Sequence, residues 1–424
     1  MEVRGHIVGW AMIFFIPVII LLGYRNNNRL FGILILAWLA RVLFAVYNTY
    51  IHSAYVDDFE SSAFSESTYG LEYVMQGLGS NARLYTWFCS MIYLVVGRSP
   101  LLLQGINILL GVLIVSNCYK LTEQIYGERA GLWAAGVLAL FPSSAMFGTL
   151  ILRESVWIYP ATVGALWWTK GIKENRLDWL VGAGVPFLIS YAFHAGALGL
   201  LLAWACTPVA NSLAANRGNL RQVLVSIVTL VVVFMAVLLL LDSGLLLSLN
   251  EKFDLRNLSA DDIGSSLEIA ARNRTAYLTD LSIRNSTDLI WQLPIRFVYF
   301  LGTPFPWSIA TVLDGGGFLD ALFYLISVGI ILRNWRALVR NPAAIALFLA
   351  CLFTWGIFSV GTSNYGTAMR HRAKMAPFLC VLVCGAWHFR NRGPFGGMVP
   401  PRMMAQPAKR VLPQRIRRAA IGKR

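Results

Sequence analysis

The chain has 424 residues, of which 57% are hydrophobic and only 13% are charged, and its formal net charge is +15. A water-soluble globular protein needs far more charged surface, so this composition excludes that class and indicates a polytopic membrane protein. The basic residues lie in short segments between apolar runs, as membrane proteins distribute them, and this argues against nucleic-acid binding.

Apolar runs of roughly 20 residues, the length that crosses a hydrocarbon core as a helix, recur along the whole chain. We predict an all-α protein with about 11 membrane-spanning helices, within bounds of about 10 to 13. Two further apolar stretches, 84–97 and 291–312, are short or interrupted by proline, and we expect them to lie along the outer surface or to re-enter. The predicted spans are roughly 7–23, 30–46, 99–119, 131–151, 155–170, 178–192, 195–210, 222–242, 318–332, 342–360 and 375–389.

Lysine and arginine in short loops mark the cytoplasmic side of a membrane protein. This rule predicts one membrane-embedded domain, 1–389, followed by a basic tail, 390–424, that is disordered and cytoplasmic. The opposite face then receives outer loops of about 47–83, 243–317 and 361–374, with two shorter turns near residues 153 and 194. We expect helices within these loops and the functional site among them.

An acidic pair, Asp57 and Asp58, follows the second predicted span and has tyrosine and phenylalanine neighbours. One carboxylate of such a pair can take a proton from an acceptor hydroxyl, or the two can bind a divalent cation, Mg²⁺ or Mn²⁺, beside a phosphate. The alternative interpretation is an ordinary solvated loop, in which acidic residues are common.

Ionisable residues also stand at the ends of apolar helices, where they are functional candidates by default. We expect Arg153 to hold a phosphate, and Glu154 to orient Arg153 or to bind sugar hydroxyls. His194 interrupts a long apolar run and is a candidate donor to phosphate or sugar. The alternative for Arg153 and Glu154 is a helix-end pair whose side chains reach the membrane interface. The alternative for His194 is a polar hairpin tip.

A basic cluster, Arg370, His371 and Arg372 with Lys374, lies on the predicted outer face, where the distribution of positive charge disfavours it. Such a cluster suits a phosphate or pyrophosphate of a lipid carrier, unless the turn lies on the inner side. Arg296 adds a further cation shortly before a stretch of prolines and aromatic rings at 302–307. Aromatic faces stack on sugar rings and equally suit a membrane interface.

These features together resemble the GT-C superfamily of membrane glycosyltransferases. The resemblance covers about the first 200 residues, and the remainder is similar by topology only. The later segments around Pro304-Phe305-Pro306-Trp307 and Asn364 to Arg372 are similar to bacterial polysaccharide polymerases of the Wzy kind. The resemblance to the GT-C superfamily rests on three early stretches: Leu84 to Ser99, Tyr119 to Arg129 and Leu140-Phe141-Pro142.

The resemblance implies a sugar donor on polyprenyl phosphate or pyrophosphate, a glycan or lipid-linked acceptor, and a base at Asp57 or Asp58. It implies cell-surface glycan assembly in a bacterial inner membrane, with the site toward the periplasm and the C-terminus in the cytoplasm. Two alternatives stay open: a polymerase of lipid-linked repeat units, and a transporter or flippase of lipid-linked glycans. A transporter often contains internal repeats, and we find none in the sequence.

Overall fold

The computed structural model describes residues 2–51, 58–76, 84–208, 211, 274–281, 283 and 286–392. The expectation of an all-α protein is confirmed for these residues, which form helices joined by short connections. The first half contains α1 Glu2–Tyr24, α2 Asn28–Val46, α3 Asp58–Thr68, α4 Leu71–Gln76, α5 Leu84–Val96, α6 Pro100–Tyr126, α7 Glu128–Leu140, α8 Pro142–Phe147 and α9 Glu154–Glu174. The second half contains α10 Leu177–Gly182, α11 Gly184–Phe193, α12 Leu198–Ala205, α13 Ser286–Gly302, α14 Val312–Arg333, α15 Trp335–Leu338, α16 Pro342–Val360, α17 Tyr365–Lys374 and α18 Ala376–Arg392.

Within the described residues, five helices are long and apolar enough to cross a membrane: α1, α2 (continued to Ile51), α6, α14 and α16. Four shorter apolar segments accompany them, at Leu84–Val96, Leu177–Phe193, Ala195–Ala205 and Ala376–Trp387. The protein therefore has the helices of a membrane protein, while the total of about 11 spans stays a prediction. The predicted span 222–242 and nearly all of the basic tail lie outside the described residues.

One predicted helix boundary is wrong, and proline explains it, while a second proline does not interrupt its helix as expected. The span predicted over 131–151 ends at Leu140, because Pro142 lacks a backbone donor and holds Phe141 in an extended conformation with ψ 113°. The stretch 291–312 was expected to be interrupted at Pro294, but α13 runs through that residue and ends only at Gly302. The chain does leave the helix before Pro304 and Pro306, as the sequence predicts.

Helix α6 lies at the centre of the bundle, since 72% of the residues in its most apolar stretch are buried, against 22% in that of α1. Glycine allows neighbouring helices to approach closely. A Cβ atom at Gly9 of α1 would lie 2.7 Å from Cβ of Leu101 in α6, and one at Gly385 of α18 would lie 2.2 Å from the Tyr126 ring. Such contacts are tighter than any side chain tolerates, so the helix spacing depends on these glycines.

The two ends of the bundle differ in character. At one end, Lys120 lies 5.6 Å from the Tyr24 ring, and Lys173 donates to the Gln124 carbonyl at 3.2 Å. At the other end, the Ser99 hydroxyl donates to the Gly5 carbonyl at 2.6 Å, and the segments that contain Glu154, His194 and His371 meet. Which end faces the cytoplasm stays a prediction.

Helix α3 belongs to the second end, where it packs on α5. Arg98, just after α5, grips Glu60 through Nε at 3.0 Å and Nη2 at 2.9 Å, and Tyr93 donates to the same carboxylate at 3.0 Å. Only 5% of Glu60 is exposed, whereas 47% of the Arg98 side chain is, so the carboxylate is withdrawn from water and its partner reaches the surface. This anchored pair fixes α3 and its first residue, Asp58, at that end of the bundle.

Candidate functional site

Glu154 is the centre of a charged cluster at the second end of the bundle. It is the first residue of α9, and only 1% of its side chain is exposed. Arg370 grips its carboxylate through Nε at 2.6 Å and Nη2 at 3.2 Å, and Lys374 Nζ lies 3.3 Å from Oε1. Residues four apart share one face of a helix, so α17 presents both cations to α9.

Two histidines extend this cluster. Lys374 Nζ lies 2.8 Å from His371 Nδ1, and the His371 ring stacks on Phe358 at 4.3 Å. The His194 ring stands nearly perpendicular to His371 at 5.4 Å, and its Nδ1 accepts from the Gly196 amide at 3.0 Å. Burial holds the pKa of His371 well below its usual range, so this ring is neutral. With Nδ1 accepting, the proton of each neutral ring is assigned to Nε2.

Arg153 completes the cluster from the other side. Its Nη1 donates to the Phe193 carbonyl at 3.3 Å, and its guanidinium carbon lies 5.7 Å from the centre of the Phe59 ring. Its Nε is buried and has no hydrogen-bond partner among the described residues. Glu154 contacts Arg370 and Lys374, so the expected Glu154-to-Arg153 hydrogen bond is not among the contacts that the structure forms.

The cluster carries more positive than negative charge. Arg153, Arg370 and Lys374 share one described carboxylate, Glu154, which leaves an excess of two positive charges when Lys374 is protonated. Burial lowers the pKa of Lys374 to about 7, although Glu154 raises it. Arg370 is 27% exposed, so the cluster is open on one side. Excess charge in a partly desolvated, open position favours binding of an anion.

Two other arginines expected at the site lie elsewhere. Arg296 is buried on α13, where Nε donates to Gln292 at 3.0 Å and Nη2 donates to the Leu281 carbonyl at 2.5 Å. Arg372 lies on α17 but points toward α13 and α14, where it pairs with Asp320 at 3.1 Å. The structure brings Arg153, Glu154, His194, Arg370 and His371 together, and it leaves Arg296 and Arg372 in the protein interior.

The acidic pair stands directly before Phe59, a residue that contacts the cluster. Asp57 is outside the described residues, and Asp58 begins α3, with its side chain also outside them. The next residue, Phe59, contacts Arg153, which places the start of α3 beside the cluster. Among the described residues, no group of three or more histidine, cysteine or acidic side chains could hold a metal ion, so a cation at Asp57 and Asp58 stays a prediction.

Lys374 belongs to the basic run that the sequence marks as an anion site, and it stands four positions after Arg370, so both lie on one face of α17. Phe59, an aromatic neighbour of the acidic pair in the sequence, contacts Arg153. The site also contains Phe358, on which His371 stacks, and the sequence carries no signal for it beyond its apolar character. Neither the protein-family models nor the curated sequences with which we compared the chain contain a match to it.

Proposed function

We propose that this chain is an integral-membrane glycosyltransferase of the GT-C kind that moves a sugar from a polyprenyl-phosphate-linked donor to an acceptor hydroxyl. The site faces the non-cytoplasmic side, and the product belongs to a cell-surface glycan. One observation supports this most: a cluster of three cations around one described carboxylate adjoins the start of α3, and the described residues include five apolar helices of spanning length.

The cationic side chains bind the phosphate of the donor in this proposal. Arg370 and Lys374 supply positive charge on one side and Arg153 on the other, while the Nε2 protons of His194 and His371 donate to phosphate or sugar oxygens. A sugar-phosphate diester carries one negative charge, and the phosphate monoester left after transfer carries two near neutral pH. A cluster of cations stabilises the more highly charged departing group better than the substrate, and such a difference accelerates the reaction.

Asp57 or Asp58 is the general base of the proposed reaction. Its carboxylate removes the proton of the acceptor hydroxyl as the oxygen attacks the anomeric carbon. The bond from that carbon to the acceptor forms, the bond to the phosphate oxygen breaks, and the electron pair leaves with the phosphate. Two adjacent carboxylates are also the oxygen ligands that Mg²⁺ or Mn²⁺ prefers, and such a cation would add positive charge beside the phosphate.

The test is radiolabel transfer from a polyprenyl-phosphate-linked sugar by the purified chain in nanodiscs. The double variant Asp57→Asn/Asp58→Asn is expected to lose roughly 10²- to 10⁴-fold in rate, the usual contribution of a general base. Glu72→Gln, an exposed acid of the same loop, is the matched control and should keep full activity. Chelation with EDTA, followed by Mg²⁺ or Mn²⁺ addition, tests the cation.

Other outcomes of the same assay would reject parts of the proposal. Activity of the double variant within about twofold of wild type would mean that neither Asp57 nor Asp58 is the general base. A ladder of labelled products from a lipid-linked acceptor would identify a polymerase. Absence of transfer, together with movement of the lipid-linked sugar across vesicle membranes, would replace the transferase with a transporter.

A further inference from the structure

Arg372 lies on the same short helix as the cations of the cluster, but its side chain leaves the helix in another direction. At ~100° per residue, Arg370 and Lys374 are about 40° apart around α17, and Arg372 is about 160° from each of them. Arg372 is completely buried, while Arg370 is partly exposed. The same ten-residue helix thus presents one cationic face to the candidate site and one arginine to the protein interior.

The interior contacts of Arg372 are made to the end of α13. Its Nη1 donates to the carbonyls of Phe300 at 2.9 Å, Leu301 at 3.0 Å and Thr303 at 2.7 Å. The last four carbonyls of a helix have no partner within it, and a cation at that end also interacts favourably with the helix dipole. Arg372 therefore caps α13 from a different helix, 69 to 72 positions further along the chain.

A third helix joins this contact. Arg372 Nη2 donates to Asp320 of α14 at 3.1 Å, and the guanidinium lies 5.4 Å from the centre of the Tyr324 ring, one turn further along α14. Both charged side chains are nearly inaccessible, with exposed fractions of 0% and 5%. Removing Arg372 would leave the Asp320 carboxylate and three carbonyls without this donor, and removing Asp320 would leave the buried guanidinium without its acidic partner, so the contact resists rotation of α17.

We infer that Arg372 is a positioning residue, which fixes the rotation of α17 against α13 and α14 so that Arg370, His371 and Lys374 face Glu154. As a statement about catalysis this inference depends on the proposed function, whereas the geometry of α17 does not. Four residues, 361–364, join α17 to α16, and Met375 alone separates it from α18. Backbone hydrogen bonds between residues 363 and 365 and residues 275–277 hold the start of α17. Along the rest of the helix side-chain contacts hold its rotation, and Arg372 makes four hydrogen bonds of that kind.

The test is backbone hydrogen exchange of the full chain in nanodiscs, with Arg372→Lys as the variant. Lysine keeps the charge, but it lacks the planar guanidinium with which Arg372 contacts three carbonyls and Asp320 at the same time. We expect exchange in residues 365–374 to accelerate about tenfold or more, while exchange in the central helix α6 stays unchanged. Arg333→Lys, an exposed arginine at the end of α14, is the matched control and should change neither region. Unchanged exchange in 365–374 would overturn the inference.

A second variant and a kinetic measurement complete the test. Asp320→Asn keeps the shape of the partner and removes its charge, so it reports on the same contact if Arg372→Lys does not fold. For the transferase, both variants should raise the donor KM about tenfold, and a KM equal to that of wild type would overturn the positioning role. If the wild-type chain transfers no sugar, the proposed function fails, while hydrogen exchange still decides whether Arg372 fixes α17.

Discussion

The cations of helix α17 pair with two acidic residues on two of its faces, and the surroundings of these two residues differ. Asp320 receives one cation, Arg372, whose remaining contacts are three carbonyl oxygens in the interior. Glu154 lies among three cations, and one of them, Arg370, reaches the surface. The first arrangement is balanced and closed, as a structural pair must be. The second is unbalanced and open, which is the condition under which an anionic ligand binds.

Removing the carboxylate of the open cluster should have the largest effect on stability. Glu154→Gln leaves Lys374 buried without its acidic partner, and the loss of one member of a buried pair costs about 3 to 5 kcal/mol. Denaturant unfolding of the variant in micelles would measure this change. Glu174→Gln, an exposed acid at the other end of α9, should leave the unfolding midpoint where it is. Equal midpoints for the two variants would mean that the cluster does not need its carboxylate.

A smaller effect is expected from the packing beneath the cluster. A Cβ atom at Gly196 would lie 2.2 Å from Cζ of Phe358, the ring on which His371 stacks. Gly196→Ala should therefore displace Phe358 and both histidine rings, at a cost of about 1 to 3 kcal/mol in unfolding free energy. Gly136→Ala is the matched control, because nothing lies within 4 Å of that position. If both variants unfold alike, the histidine pair is not held by this contact.

The open cluster should also respond to pH in two opposite ways. Burial lowers the pKa of Lys374 to about 7, against 10.5 for the ordinary side chain. Between these values the unfolded chain binds the extra proton, so the contribution of Lys374 to folding stability rises with pH. The charged fraction falls over the same window, so affinity for a polyprenyl phosphate should fall, by up to about tenfold per pH unit.

Measurements of unfolding midpoint and of polyprenyl phosphate binding between pH 6 and 9 would check both trends. Lys374→Gln removes the titrating group and should flatten both profiles. Arg333→Lys, at an exposed position outside the cluster, is the control and should leave both profiles as they are in the wild-type chain. Profiles that move in the same direction in the wild-type chain would contradict the proposed titration of Lys374.

The difference between the two faces was only partly predictable from the sequence. Helical spacing places Arg370 and Lys374 together and Arg372 apart, yet the basic run was interpreted as one anion site. The partners could not be predicted, because Glu154 and Arg370 are 216 positions apart and no local pattern joins them. The apolar runs did predict the long helices such as α2 and α16, since burial in lipid depends on composition more than on specific contacts.

Arg296 and Glu154 show that the sequence predicts the position of a segment better than the direction of its side chains. The sequence placed both on the outer face, and that expectation uses only loop order and charge. Which way each side chain points depends on helix packing: Arg296 turns toward Gln292 and the Leu281 carbonyl, and Glu154 turns toward α17. A single sequence predicts which segments meet at one end of the bundle. Which side chains pair there depends on how the helices pack.

The smallest effect is expected where an ion pair is well formed but exposed. Arg176 grips Asp178 through Nε at 3.0 Å and Nη2 at 2.5 Å, a geometry as good as that of Arg370 and Glu154. Both partners are more than half exposed, and water screens surface pairs almost completely. Asp178→Asn should therefore leave the unfolding midpoint unchanged within error. A loss comparable to that of Glu154→Gln would mean that geometry, and not burial with unbalanced charge, separates the cluster from the other ion pairs of the protein.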